Sequence, residues 1–120
     1  MPDDFKDAAI RHFNDAIALK MRGSLDNAGH LIGFSAECAV KSTLTEALHV
    51  HLPELLSSAR KRLRSRTPNS GLLRMLQTNA FNDWDVARRY HRTGHTTAVE
   101  LDTWVEATKQ LLSLSGVRAK

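Results

Sequence analysis

Cysteine is almost missing from this chain of 120 residues: Cys38 stands alone. An internal disulfide is excluded, and no cysteine-based metal framework can form. Proline and glycine are scarce as well, at three and six residues, while Leu, Ala and Arg are plentiful. Breakers are few and helix formers many, so the composition leans towards helix. No apolar run approaches the roughly 18–20 residues that a bilayer-spanning helix needs. The first residues, Met1 to Asp7, carry acids where a signal peptide has a basic region and an apolar core. The expectation is a cytoplasmic protein without a membrane role. Also missing are a glycine-rich phosphate loop, a nucleophile elbow, zinc-ligand spacing, internal repeats and strand-like alternation.

What remains is one domain's worth of ordinary globular sequence, 42% apolar and 25% charged, expected to fold as a single unit over 1–120. The charge is unevenly placed. Residues 1–50 hold five Lys/Arg and seven Asp/Glu; residues 51–120 hold twelve and six. A basic second half suits an anionic partner such as a phosphate backbone, and equally suits plain surface solubility.

Hydrophobic rhythm predicts the elements. Asp3 or Asp4 caps a first helix whose Phe5, Ala8, Ala9, His12, Phe13, Ala16, Ile17 and Lys20 share one face, and Gly23 closes it. A second helix is expected over 25–49, with a broad face of small residues including Ala28, Ser35, Ala36 and Ala39. Small side chains allow a close antiparallel neighbour, so the first two helices form a hairpin. Pro53 opens a third helix, and Thr67-Pro68-Asn69-Ser70-Gly71 breaks it. A short helix follows near Leu72–Leu76, then a helical turn around Trp84–Arg89. A last helix runs from Thr96 or Thr97 to Ser115, with Leu101, Trp104, Val105, Thr108, Leu111 and Leu112 inward. The predicted class is all-α: an antiparallel up-down bundle of four main helices plus short ones.

One stretch concentrates chemistry. Arg88-Arg89-Tyr90-His91-Arg92-Thr93-Gly94-His95 places three arginines, two histidines and a tyrosine in eight residues. Arginine offers a fixed fork of donors that matches phosphate oxygens, and histidine titrates near neutral pH. Such a segment either binds a phosphodiester or nucleotide, or is a solvated basic turn. On the second helix, Glu37 and Lys41 share a face and can pair. Alternatively Glu37 orients an arginine of the Arg88–Arg92 segment. His30, His49 and His51 do not converge as metal ligands, and a helix-end role is the expectation for them. Arg60–Arg66 can track a nucleic-acid backbone or form a solvated helix face, and few aromatics lie near it for base stacking.

The run Asn27-Ala28-Gly29-His30-Leu31-Ile32-Gly33-Phe34-Ser35-Ala36-Glu37-Cys38-Ala39-Val40-Lys41, preceded by His12 and Asn14-Asp15-Ala16, resembles the first two helices of HEPN domains. Trp84-Asp85-Val86-Ala87-Arg88-Arg89-Tyr90 is similar to that family's later W-x-x-x-x-R-Y segment. The resemblance, spanning about residues 8–114, implies a helical bundle that forms homodimers and acts on RNA or nucleotides. It implies a place in toxin–antitoxin or defence systems, with a nucleotidyltransferase or antitoxin chain as partner. Many of the family are metal-independent ribonucleases using an arginine, four to six intervening residues and a histidine. Here Arg89 and His95 fit that pattern, as do Arg88 and His95. Two departures from the usual form, Tyr90 directly after Arg89 and Gly94 inside the motif, favour binding over catalysis. The implied site is therefore Arg88, Arg89, His91 and Arg92 for phosphate, Arg89 and His95 as the catalytic pair of the enzyme alternative, and Glu37, Lys41 and Tyr90 in support. No metal or cofactor is expected.

Overall fold

The protein is described by a computed structural model covering residues 4–44, 49–64 and 69–117, without the side chains of Arg88 and Arg89. It is compact and all-helical, with no strand among the described residues. Five α-helices follow in order: α1 (Phe5–Met21), α2 (Leu25–Lys41), α3 (Glu54–Leu63), α4 (Ser70–Met75) and α5 (Ala98–Leu114). A 3-10 helix (Val86–Tyr90) lies between α4 and α5.

The ends of α1 and α5 follow the local chemistry. The Asp4 carboxylate accepts from the Asp7 N–H at 3.0 Å and starts α1. Thr97 and Glu100 form a reciprocal capping box that starts α5. Helix α2 is shorter than its apolar pattern suggests, ending at Lys41 rather than near His49. The Ser42 and Thr43 hydroxyls bond back to the Ala39 and Val40 carbonyls (2.7 and 2.6 Å), competing with further helical hydrogen bonds. Residues 45–48 of the expected helix lie outside the described residues, and His49 and Val50 are not helical. Pro53 caps α3 rather than beginning it. Asn69 accepts from the Leu72 N–H and donates to the Leu114 carbonyl (both 2.9 Å), tying the start of α4 to the end of α5.

Helix α2 is the centre of the molecule and packs against both α1 and α5. Ser35 Oγ donates to the Ala9 carbonyl at 2.7 Å, while the α1–α2 turn lies at residues 22–24, so these two helices are antiparallel. Gly29 lies under Trp104, and the Thr108 hydroxyl reaches the Ile32 carbonyl, so α5 runs in the same direction as α2. The inward face expected for α5 is buried in full.

Two glycines of α2 serve as seats for indole rings. A Cβ on Gly33 would stand 2.0 Å from Trp84 Cε2, and one on Gly29 would stand 2.8 Å from Trp104 Cζ3. The Trp84 Nε1–H donates to the Gly29 carbonyl at 2.9 Å, so the buried ring satisfies its one polar group as it packs. This anchor lies two residues before the 3-10 helix. It fixes the approach of the basic segment to α2.

Candidate functional site

The Arg88–His95 segment begins in the 3-10 helix and ends at the N-terminus of α5. Tyr90 is 77% exposed, and His91 and Arg92 are exposed too. The side chains of Arg88 and Arg89, which the sequence marks for phosphate binding, lie outside the described residues. His95 is different: its side chain is only 20% exposed.

A single carboxylate organises this end of the segment. Asp26 Oδ2 accepts from the Gly94 N–H at 2.7 Å, and Oδ1 accepts from the Thr96 N–H at 3.0 Å. His95 Nδ1 lies 3.1 Å from Asp26 Oδ1 and 2.7 Å from the Arg92 carbonyl oxygen. Both neighbours of Nδ1 are acceptors, so Nδ1 carries a proton. The other ring nitrogen, Nε2, is 3.4 Å from the Thr96 hydroxyl, which also bonds the Asp26 carboxylate. The Gly94 N–H is the largest of several causes that hold the Asp26 carboxyl below its ordinary value. Burial opposes the shift, while the Thr96 amide and hydroxyl and the His95 imidazole add to it. Gly94 has a φ of +92°, a left-handed conformation that turns the chain back onto α2.

The His91 and His95 rings meet edge to face with centroids 5.0 Å apart. Beside them the end of the α1–α2 turn and the first residues of α2 (Gly23–Asn27) border, with the loop at Thr93–Thr96, a cleft of about 550 Å3. That volume lies within the range of small-ligand sites.

Glu37 has another role than the sequence suggests. It is buried, and its oxygens stand 3.0 Å from His51 Nδ1 and accept from the Leu52 N–H at 3.0 Å. The Glu37–Lys41 ion pair does not form among the described residues, because His51 from the α2–α3 connection takes the carboxylate. His51 is correspondingly not a helix-end histidine. Nor does Glu37 lie opposite His95. It is about 16 Å further along α2 than Asp26, at a rise of 1.5 Å per residue. The carboxylate against His95 is Asp26, while Glu37 meets His51 and the Leu52 amide.

No family model, curated protein or solved structure matches this chain.

The chemistry available rests on the side chains alone. An imidazole held through Nδ1 by two acceptors, with Nε2 beside a hydroxyl, can exchange a proton at Nε2 without losing its anchor. Exposed Arg92 and His91 place cationic or neutral donors next to it. The described residues hold no group of His, Cys, Asp and Glu that would bind a metal ion. No helix among them is long and apolar enough to cross a membrane.

Proposed function

We propose that this chain is a HEPN-like helical bundle that binds RNA or a nucleotide through Arg88, Arg89, His91, Arg92 and His95. The observation that carries this reading is the exposure of Tyr90, His91 and Arg92 beside an anchored His95. Side chains that can meet phosphate oxygens thus stand next to one that can exchange a proton. The up-down arrangement of four longer helices and a homodimer with two such segments around one groove belong to the same reading. So does assembly with an antitoxin or nucleotidyltransferase chain.

Binding of single-stranded RNA measured across a salt series tests it. Phosphate contacts release counterions, so removing one with Arg92→Ala lowers the slope of log K against log salt by about 0.7. Unchanged slopes for Arg88→Ala, Arg89→Ala and Arg92→Ala would remove this segment as the phosphate site.

The geometry of His95 favours a second reading, a metal-independent endoribonuclease. A base takes the proton of a ribose 2′-hydroxyl, that oxygen bonds to the adjacent phosphorus as the P–O5′ bond breaks, and an acid protonates the departing 5′-oxygen. His95 serves as that base or that acid, while an arginine offsets charge on the phosphoryl oxygens. His95 Nε2 has the freedom for that step, and Arg89 is the arginine assigned to it. RNA cleavage that persists in chelator and disappears in both Arg89→Ala and His95→Ala supports the enzyme. Cleavage untouched by either change rejects it.

A further inference from the structure

We infer that Asp26 is the positioning residue of this site, holding His95 in the tautomer that leaves Nε2 able to accept a proton. The inference rests on the reading of His95 as a proton-transfer group and adds the group that sets its state.

The argument begins with the number and kind of hydrogen bonds that Asp26 receives. Two backbone N–H groups donate to it, Gly94 N at 2.7 Å and Thr96 N at 3.0 Å, and its Oδ1 stands 3.1 Å from His95 Nδ1, whose own hydrogen bond runs to the Arg92 carbonyl at 2.7 Å. Both N–H groups are donors, and a carboxylate is acceptor-only at both oxygens. An amide at this position has one oxygen and one NH2 group. Whichever way it is turned, it sets a donor against either Gly94 or the His95–Thr96 pair. Asparagine is therefore close in shape but wrong in hydrogen bonding.

The same contacts fix the ring. With the loop held at Gly94 and Thr96, the imidazole between them lies against Asp26 Oδ1 and the Arg92 carbonyl through one nitrogen. A ring turned over would place a C–H against two acceptors. A proton on Nδ1 gives the less populated tautomer of free histidine, so the surroundings select it. Asp26 sits on the first turn of α2, on a rigid element packed from two sides, which suits a group that must hold a loop in register.

Nitrogen-15 spectra of histidine-labelled protein, taken where the ring is neutral, test this without RNA. The wild-type chain is expected to show His95 with Nδ1 protonated and Nε2 bare; the reverse tautomer overturns the inference whatever the variants do. In Asp26→Asn the ring is expected to shift towards the Nε2–H form, and Asp26→Glu, which keeps the carboxylate, to retain Nδ1–H. Persistence of Nδ1–H in Asp26→Asn would assign the orienting role to the Arg92 carbonyl and overturn the inference. Asp26→Ser replaces Asp26→Asn in the comparison if the latter does not fold. If the wild-type protein cleaves RNA, Asp26→Asn is expected to lower kcat about 10- to 100-fold at unchanged KM. A wild-type protein that cleaves nothing while His95 keeps the expected tautomer sinks the nuclease reading and leaves the role of Asp26 standing.

Discussion

Asp26 ties the start of α2 to the loop before α5 through one side chain, and its protonation is coupled to folding. Its carboxyl is held below the ordinary value near 3.8, first by the Gly94 N–H. A depressed folded value means that the unfolded chain binds the proton more readily. Its contribution is therefore complete above the ordinary value and lost as pH falls through the lowered one. Chemical denaturation of wild type and Asp26→Asn should show a gap of about 1.5–3 kcal/mol at neutral pH, the usual worth of hydrogen bonds to a charged group. The gap should close in strong acid, and a gap independent of pH would show that charge is not involved. His12 has the same sign for a different reason. Burial beside Phe34, with ring centroids 5.9 Å apart, is the largest cause lowering its pKa; Arg11 adds to it and Asp15 opposes it. The neutral ring is thus favoured in the fold, and its contribution falls away as pH drops below about 6.5 and through the lowered folded value. Denaturation of wild type and His12→Phe should diverge across that window in favour of the variant at the acid end. Parallel curves would mean that His12 titrates alike in both states.

At the scale of an element, α2 shows how local pattern and tertiary demand can differ. Its small residues predict a close neighbour, and Ser35 against Ala9 is that neighbour. Gly29 and Gly33 answer a demand that periodicity cannot express, because the rings they seat come from Trp104 and Trp84, far along the chain. Alanine is intrinsically better than glycine in a helix interior by about 1 kcal/mol. Even so, Gly33→Ala should destabilise by about 1–3 kcal/mol, since a Cβ 2.0 Å from a buried indole must displace the ring or the helix. Gly29→Ala should cost less, as its overlap with Trp104 is smaller. Thermal denaturation of the two variants ranks them, and an equal or reversed order would show that Trp84 can yield. Apolar rhythm and capping residues made α1, α5 and the all-helical class legible, because those signals are local. The end of α2 was hidden by Ser42 and Thr43, which turn their hydroxyls inward on the helix. The candidate site is half legible. Concentrated Arg and His marked the segment, whereas Asp26 reads as an ordinary acid in a first helical turn until Gly94 and Thr96 come to meet it.

For the molecule as a whole, the packing ranks the helices by how much each depends on its neighbours. Helix α2 contributes nine buried residues and is clasped by α1 and α5, whereas α3 packs chiefly on α2 and α4 chiefly on α5. An element held on two sides opens only when both partners leave it, so its amides should exchange with solvent through the global unfolding reaction. An element held on one side can detach alone. Helix α3 buries Leu55, Leu56, Ala59 and Leu63 along a single stripe and leaves Lys61, Arg62 and Arg64 facing solvent. Native-state hydrogen exchange should therefore find the slowest amides in the middle of α2 and α5, around Ile32–Ala36 and Trp104–Thr108. The amides of α3 and α4 should exchange through smaller openings that are less sensitive to denaturant. The Asp26–His95 contact joins two of the slow elements, α2 directly and α5 through the loop that leads into it. His95 is thereby mounted beside the most persistent part of the fold, and the amides of Gly94 and Thr96 should be better protected than an exposed loop allows. Asp26→Asn should release those two amides first while α2 stays protected. Loss of protection throughout α2 in that variant would mean that Asp26 holds the bundle together rather than the loop.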